Sequence, residues 1–326
     1  MKRPVTIVTG FLGSGKTTLL SRLLSEADTQ DVAVLVNEFG EVGLDHHLLR
    51  RVNERTVLLG SGCVCCSRRE DLVESLLELL ALESRGQIPR LGRVVVETTG
   101  LADPAPILFT VFEHPVLCHH FGIDAVVTTV DAVNGHLHLD ANPESTGQIT
   151  AADRLVVTKQ DLAAKNDVEA LVLRLRAINP TAGFADPDAP DLLSAPGVGT
   201  RNPAPPAGVA HGGQTSATDS VSLTFDGPVD WAAFGVWLSM LLNARGEEVL
   251  RVKGMLDVGE AGPVILNGVQ HTIHPPRHLD GWPEKDRTSR LVFITRGLEA
   301  QEVLRSLGSF SKLLGASPRP LPAPRL

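Results

Sequence analysis

A glycine-rich segment near the start of the chain constrains the fold more than any other feature. Residues 10–17 read Gly-Phe-Leu-Gly-Ser-Gly-Lys-Thr; they follow the β-branched run Val5–Val8 and lead into the helical pattern Thr17–Leu24. A Gly-x-x-x-x-Gly-Lys-Thr segment between a strand and a helix is the phosphate-binding loop, or P-loop, of nucleotide-binding domains. The sequence therefore predicts an α/β domain of the P-loop NTPase class, with phosphates bound at the start of the first helix.

The residues of the P-loop have separate expected roles. Its glycines let backbone amides close around the phosphates, and the start of the following helix adds positive potential. Lys16 is expected to reach the β- and γ-phosphates as a catalytic residue, and the Thr17 hydroxyl to bind Mg²⁺. The predicted nucleotide-binding residues of this segment are Gly10, Gly13, Ser14, Gly15, Lys16, Thr17 and Thr18.

The first half of the chain alternates short β-branched runs with longer helical patterns. The predicted strands are Val5–Val8, Val32–Val36, Arg93–Glu97, Ala125–Val130 and Arg154–Thr158, and the predicted helices are Thr17–Leu24, Asp71–Leu82 and Asp167–Ile178. Such alternation is typical of βα units around a doubly wound, mainly parallel sheet. We assign residues 1–185 to this domain.

The second half has a different organisation. Residues 186–219 are rich in Pro, Gly, Ala, Ser and Asp, which predicts a flexible linker. Residues 220–315 show short strands, an Asn267-Gly268 turn signal and two helical patterns, which predict a second, smaller α+β domain. Residues 316–326 contain four prolines and are predicted to be a disordered tail.

The predicted strand at residues 93–97 ends in an acidic residue. Glu97 follows three valines, and Gly100 comes three residues later. In P-loop proteins a carboxylate at this place holds Mg²⁺ or orients the attacking water, and a nearby backbone amide contacts the γ-phosphate. We therefore predict that Glu97 binds Mg²⁺ together with Thr17, and that Glu97 and the Gly100 amide act in catalysis. Read alone, the same segment is a buried strand that ends in a loop.

A third candidate segment reads Thr158-Lys159-Gln160-Asp161. It resembles the guanine-specificity element, in which a carboxylate accepts hydrogen bonds from N1–H and the exocyclic amine of the base. Adenine presents an acceptor at N1, so Asp161 would reject it. The element usually begins with Asn, and here Thr158 offers a hydroxyl to brace the loop. We predict a GTP or GDP site that uses Thr158, Lys159 and Asp161; the alternative is a surface turn.

Three of the four cysteines, Cys63, Cys65 and Cys66, lie within four residues. This spacing is poor for disulfides and good for thiolate ligation, which favours a reducing cytoplasm. Thiolates suit Zn²⁺ and other soft or borderline ions, but three of them do not complete a tetrahedral shell. The candidates for the missing ligand are Glu38, His46, His47, His119, His120 and water. Buried or redox-active cysteines are the alternative reading.

Charge and hydropathy exclude two classes of partner. Asp and Glu outnumber Lys and Arg by 38 to 30, and the basic residues form no long run, so we expect no nucleic acid partner. No stretch of about 18 uninterrupted apolar residues occurs, so we expect no membrane span. The opening basic and apolar residues imitate a short secretory signal, but Lys16 and the glycine loop interrupt it, so we expect them to belong to the folded domain.

Together these residues resemble the CobW-like GTPases, a family of proposed metallochaperones within the P-loop class. The resemblance covers nearly the whole chain. Besides the motifs above, it rests on Val-Asn-Glu-Phe-Gly-Glu-Val-Gly at 36–43, Glu-Thr-Thr-Gly-Leu-Ala-Asp-Pro at 97–104, Val-Asp-Ala at 130–132, Leu-Arg-Val-Lys-Gly at 250–254, Gly-Val-Gln-His at 268–271 and Trp282.

The resemblance implies a function. The chain would bind GTP with Mg²⁺ and hydrolyse the β–γ phosphoanhydride slowly. It would hold Zn²⁺, Co²⁺ or a similar ion at the cysteines and deliver it to a client metalloprotein. The resemblance also places Glu38 and Glu41 in a first switch-like loop.

Two other readings stay open at this point. One is a P-loop ATPase or kinase with incidental cysteines, against which Asp161 argues. The other is a non-catalytic zinc-storage or regulatory protein, against which intact Lys16, Thr17 and Glu97 argue. No arginine finger is recognisable, which predicts low intrinsic turnover. A homodimer through the sheet edge or the small domain is one assembly that the sequence allows.

Overall fold

A computed structural model describes residues 2–26, 31–36, 57–59, 69–195 and 218–321 of the chain. The chain divides into two compact units. The first comprises Met1–Val172 and Ala182–Pro196, and the second comprises Leu173–Thr181 and Gly197–Leu326. None of the helices in the described ranges is long and apolar enough to cross a membrane.

Seven strands form one sheet among the described residues of the first unit. They are β1 (Arg3–Gly10), β2 (Val32–Val36), β3 (Val57–Leu59), β4 (Arg93–Glu97), β5 (Phe121–Asp131), β6 (Arg154–Thr158) and β7 (Gly183–Phe184). The spatial order is β3-β2-β4-β1-β5-β6-β7, and all neighbouring pairs are parallel. The order reverses at β1, where ligands bind beyond the carboxyl ends of strands in such sheets. The predicted parallel sheet is confirmed.

Helices cover both faces of this sheet. They are α1 (Lys16–Glu26), α2 (Arg69–Ser84), α3 (Ala105–Glu113), α4 (Leu117–His120), α5 (Gly135–Ala141) and α6 (Pro143–Ala151), and a 3₁₀ turn spans Gln160–Leu162. A further helix, α7 (Lys165–Ile178), begins in this unit, and its residues from Leu173 onward count with the second unit. The leucines of α1 pack with Val8 and Val34 in one core cluster. Leu76 and Leu79 of α2 pack with Val94 in another. Alternate residues of the strands thus fill two cores, which makes the sheet doubly wound.

The beginning of the predicted linker belongs to the first unit. Leu192 is fully buried. The Leu193 carbonyl accepts hydrogen bonds from Thr6 Oγ1 at 2.5 Å and Arg93 Nη1 at 2.7 Å, and the Ser194 carbonyl accepts one from Arg154 Nε at 2.9 Å. Residues 186–195 therefore differ from the flexible segment that their composition predicted, because side chains of the sheet pin their backbone. Residues 196–217 lie outside the described residues.

The second unit is an α+β domain built on an antiparallel sheet. Its strands are β8 (Thr218–Phe225), β9 (Val249–Leu256), β10 (Val264–Val269), β11 (Thr272–Ile273), β12 (Arg277–His278), β13 (Arg290–Arg296) and β14 (Pro318–Pro320), and its helices are α8 (Trp231–Arg245), α9 (Ala300–Ser309) and α10 (Ser311–Leu314). Asp230 caps α8 by accepting a hydrogen bond from Ala233 N at 2.8 Å. Phe234 and Trp237 of α8 pack against Phe293 in its core.

Two local predictions in this unit differ from the structure. Asn267 and Gly268 lie inside β10, and the hairpin turn comes two residues later at Gln270 and His271, where Gln270 has φ 50°. The pairing of β10 with β9 and β11 overrides the local turn signal. In the predicted tail, Pro318–Pro320 pairs with β8 as an edge strand, where proline is tolerated. Residues 322–326 lie outside the described residues.

Candidate nucleotide site

The P-loop joins the central strand to α1. Gly10, Gly13 and Gly15 have φ values of 141°, 73° and 88°. Residues with a Cβ rarely adopt this region, so glycine is needed at each position for the loop to fold back on itself. α1 begins at once with Lys16, and Thr18 is exposed on its first turn.

The Lys16 ammonium lies against the loop backbone. Its side chain is bent back, and Nζ donates hydrogen bonds to the carbonyls of Gly10 at 2.8 Å and Phe11 at 3.2 Å. The residue is only 8% exposed. A cation in this position is held where the motif places the β- and γ-phosphates.

Thr17 and Glu97 meet at the head of α1. The Thr17 hydroxyl donates to Glu97 Oε1 at 2.5 Å, and Glu97 is 3% exposed. Glu97 reaches this place because β4 pairs with β1 in a register that sets it beside Val8. A hydroxyl and a carboxylate are oxygen ligands of the kind that Mg²⁺ takes beside nucleotide phosphates. The two residues therefore fit the Mg²⁺ site that the sequence predicts.

Gly100 lies directly against the P-loop. A Cβ added at Gly100 would be 2.6 Å from Leu12 N and 2.7 Å from Leu12 Cα, so only glycine fits. A turn closed by the hydrogen bond from Ala102 N to the Thr99 carbonyl, at 3.1 Å, holds this segment. The structure thus brings Lys16, Glu97 and Gly100 to one edge of the sheet.

Thr158 braces the P-loop from the neighbouring strand. Its hydroxyl lies 2.8 Å from the Ser14 carbonyl and 3.2 Å from the Val130 carbonyl. A hydroxyl thus makes the link to the P-loop at the position where Asn is usual. The next residue, Lys159, has φ 55°, and Asp161 is exposed in the 3₁₀ turn that follows.

Asp131 holds Lys159 in place. From the sequence, Asp131 could lie by the nucleotide or cap the end of its strand. The residue is 2% exposed; it accepts hydrogen bonds from Lys159 Nζ at 2.8 Å and from Val133 N at 2.8 Å. Burial raises the pKa of Asp131, but hydrogen bonds from Lys159, from the Asn134 side chain and from the Val133 and Asn134 amides outweigh it, so the pKa lies below the ordinary 3.8. Asp131 therefore stays ionised at neutral pH and holds Lys159 beside the 3₁₀ turn at Gln160–Leu162.

A group of hydroxyls that the sequence did not predict lies under the P-loop. Ser14 Oγ and Thr129 Oγ1 are 2.6 Å apart, and Thr98 Oγ1 donates to Thr9 Oγ1 at 2.7 Å. These side chains are buried and connect the ends of β1, β4 and β5 to the loop. The only signal in the sequence is the presence of threonines at the ends of three predicted strands.

Most of the predicted ligands of Zn²⁺ or a similar ion lie outside the described residues. Cys63, Cys65, Cys66, Glu38, His46 and His47 lie outside the described residues. His119 and His120 are exposed at the end of α4, just before β5 begins beside Arg3. This is the amino edge of the parallel sheet, opposite the P-loop. Within the described ranges, no group of three or more His, Cys, Asp or Glu side chains could hold a metal ion.

A P-loop at the point where strand order reverses, with an acidic residue on the adjacent strand, defines a P-loop nucleotide-binding protein. The chain belongs to the CobW family. Residues 4–186 match the family model described as CobW/HypB/UreG, nucleotide-binding domain, and residues 218–311 match the cobalamin synthesis protein cobW C-terminal domain. The family resemblance is confirmed.

The chain is similar to two curated relatives and to one solved structure over most of its length. It is 34% identical over 321 residues to the zinc chaperone YjiA of Escherichia coli, covering 94% of this chain and 98% of the relative. It is 33% identical over 213 residues to the zinc-regulated GTPase metalloprotein activator 1 of Schizosaccharomyces pombe, covering 61% of this chain and 50% of the relative. The crystal structure of Zn(II)-bound YjiA GTPase from E. coli superposes with TM-score 0.72 at 28% identity, covering 95% of this chain and 99% of the other.

Proposed function

We propose that this chain is a GTP-binding, slowly GTP-hydrolysing metallochaperone that holds Zn²⁺, or a similar ion such as Co²⁺, at Cys63, Cys65 and Cys66 and transfers it to a client metalloprotein. The observation that carries the proposal is the contact of Thr17 with Glu97 at the head of a braced P-loop. The relatives named as zinc chaperones and zinc-regulated GTPases support the metal part. The thiol cluster fits a reducing compartment such as the cytoplasm.

The chemistry proposed for the nucleotide is transfer of the γ-phosphoryl group to water. Lys16 and the backbone amides of the P-loop stabilise negative charge on the phosphates, and Thr17 and Glu97 would hold Mg²⁺. When bound, that ion neutralises charge on the β- and γ-oxygens. Glu97 orients water at the same edge, and the Gly100 amide contacts the γ-phosphate. No arginine among the described residues is assigned to this charge, so we propose slow turnover.

Guanine is the proposed base. The Asp161 carboxylate would accept the N1–H and amine hydrogen bonds that guanine offers and adenine does not. Its exposure leaves it accessible to a base, and the hydroxyl of Thr158 and the ion pair of Lys159 with Asp131 keep the loop beside the P-loop. Competition with unlabelled nucleotides tests this step, because ATP that competes as well as GTP would favour the P-loop ATPase or kinase reading.

The proposed link between nucleotide and metal follows from strand order. β2, β3 and β4 are parallel neighbours, so their carboxyl ends share the edge of the P-loop. Glu38 follows β2 in the sequence, the cysteines follow β3, and Glu97 ends β4. Segments that leave one edge of a sheet can respond to the same nucleotide. Coupling requires only that the metal bind one nucleotide state better, and a tenfold preference is about 1.4 kcal/mol.

The deciding experiment measures metal affinity in three nucleotide states. Zn²⁺ and Co²⁺ are titrated into protein with a GTP analogue, with GDP and with no nucleotide, beside the double variant Cys65→Ala, Cys66→Ala. We expect the nucleotide to change the affinity of the intact protein and the double variant to lose the high-affinity site. Equal affinity in all three states would refute the coupling.

A second experiment tests the assignment of the nucleotide site. Lys16→Ala should abolish GTP hydrolysis and leave all thiols reactive. Lys165→Ala is the matched control, because the Lys165 side chain is 89% exposed at the start of α7 and its ion-pair partner among the described residues is Glu169, at 3.9 Å. Hydrolysis that persists in Lys16→Ala at the control rate would overturn the assignment.

A further inference from the structure

One buried glutamine makes two hydrogen bonds to the backbone of the segment that carries Gly100. Gln148 lies on α6 and is 1% exposed. Its Nε2 donates two hydrogen bonds, to the carbonyl of Gly100 at 3.1 Å and to the carbonyl of Ala102 at 3.0 Å. Both protons of the amide are therefore used on one short piece of backbone.

The backbone of Gln148 is in turn hydrogen-bonded to the sheet. The backbone carbonyl of Gln148 accepts a hydrogen bond from Thr128 Oγ1 at 3.0 Å, and Thr128 belongs to β5 next to the central strand. Residues 99–102 have the P-loop on their other side, since Gly100 packs against the backbone of Leu12. Residues 99–102 are thus held between α6 and the P-loop.

We infer that Gln148 is a positioning residue that sets how strongly the protein distinguishes GTP from GDP. The inference rests on the proposed nucleotide function. GTP and GDP differ only in the γ-phosphate, and the group proposed to meet it is the Gly100 amide. That amide is preorganised for the phosphate while residues 99–102 are held in place. Without the two hydrogen bonds of Gln148, residues 99–102 must be ordered when GTP binds. That entropy cost weakens the affinity for GTP and leaves the affinity for GDP unchanged.

The two hydrogen bonds to Gly100 and Ala102 require an amide side chain at position 148. A leucine or methionine at position 148 fills similar volume and donates nothing, so two carbonyls lose their partner. A glutamate has the same shape, yet its ionised form presents acceptors to two acceptors. Its protonated form has one O–H, which restores one of the two bonds. The site therefore distinguishes a hydrogen-bonding role from simple packing.

The first test compares Gln148→Leu with wild type and a matched control. Ser145→Ala lies one turn away on the same helix; Ser145 is 4% exposed and its hydroxyl has no hydrogen-bond partner among the described residues. Affinities for fluorescent GDP and a fluorescent, non-hydrolysable GTP analogue are measured with Mg²⁺ present. For Gln148→Leu we expect about tenfold weaker binding of the GTP analogue and less than about twofold change for GDP. Ser145→Ala should bind both nucleotides as wild type does.

The second test uses pH as a readout that a packing role would not move. In Gln148→Glu, burial and the two facing carbonyls favour the protonated acid, so its pKa is expected to rise into the titratable range. Affinity for the GTP analogue should then fall as pH rises in this variant, relative to wild type measured at the same pH. GDP affinity and thermal unfolding report whether the variants are folded, and Gln148→Met replaces Gln148→Leu should the latter not fold.

The outcomes separate this inference from the function on which it rests. Wild-type protein that binds neither guanine nucleotide contradicts the proposed function of the site. Wild-type protein that binds both, with an unchanged ratio of GTP to GDP affinity in folded Gln148→Leu or Gln148→Met, overturns only the role of Gln148. So does a Gln148→Glu variant whose affinity ratio follows that of wild type at every pH.

Discussion

Replacing Asp131 by asparagine should loosen the proposed base-binding loop, residues 158–161, while keeping its shape. The asparagine oxygen can still accept the hydrogen bond from the Val133 amide. The asparagine NH₂ group, however, replaces the carboxylate oxygen that accepted from the Lys159 ammonium, so two donors face each other. A hydrogen bond between charged groups contributes about 1.5–3 kcal/mol. Because the Lys159 side chain is 37% exposed, solvent screens part of this. We expect a loss of about 2 kcal/mol in the free energy of unfolding.

The same substitution should weaken the binding of GDP and GTP together, because the proposed role of Lys159 is to support the base and not the γ-phosphate. Urea denaturation measures the stability and fluorescence titration the two affinities. Glu169→Gln is the control, since Glu169 is 63% exposed and 3.9 Å from its partner, where such pairs contribute almost nothing. A stability equal to that of the control would refute the reasoning.

The pH dependence gives an independent check on Asp131. Its pKa is lower in the folded protein than the ordinary 3.8, so its contribution is fully present above that value and is lost as pH falls through the folded pKa. The stability gap between wild type and Asp131→Asn should be constant from neutral pH down to about pH 5 and shrink towards about pH 3. A gap that stays constant to the lowest pH would show that the charge is not the cause.

Three further substitutions test other contacts. Gly100→Ala places a methyl group 2.6 Å from the P-loop backbone and should cost about 1–3 kcal/mol of unfolding free energy in urea, whereas Gly147→Ala, in open space on α6, should add up to about 1 kcal/mol. Thr158→Val removes the brace of the P-loop and should weaken GDP about fivefold in fluorescence titration; Thr158→Ser should restore it. Arg93→Met removes four hydrogen bonds of the guanidinium and should lower the free energy of unfolding, measured in urea, by about 3 kcal/mol, against less than about 0.5 kcal/mol for Lys165→Ala.

The parts of the site that lie in one stretch of sequence were predictable. Strand ends and glycine spacing locate the P-loop, Glu97 and Gly100, because in a parallel sheet each loop that follows a strand leaves the same edge. The predicted bounds of Val32–Val36, Arg93–Glu97 and Arg154–Thr158 are confirmed. These strands are buried on both faces and read as continuous apolar runs, which makes their ends visible.

The contacts that hold the site in place were not predictable, because they join distant parts of the chain. Gln148 is 48 residues from Gly100, and Thr129 is 115 residues from Ser14. Their meeting depends on strand order and on the packing of α6, which no local pattern encodes. The same holds for Leu193, whose carbonyl meets Arg93 across 100 residues and turns the start of a proline-rich stretch into fixed structure.

The proposed coupling between nucleotide and metal can be sized from these contacts. In the proposed mechanism, residues 97–102 would change partners when a γ-phosphate binds, because Glu97 bonds Thr17 and Gly100 lies against the P-loop in the structure. A hydrogen bond contributes about 1 kcal/mol net, so two that differ between states give about 2 kcal/mol, or some thirtyfold in affinity. Linkage is reciprocal, so the metal cannot raise GTP affinity by more than GTP raises metal affinity. A coupling of this size fits the proposed transfer of the ion to a client, because an ion bound too tightly in every state could not be delivered.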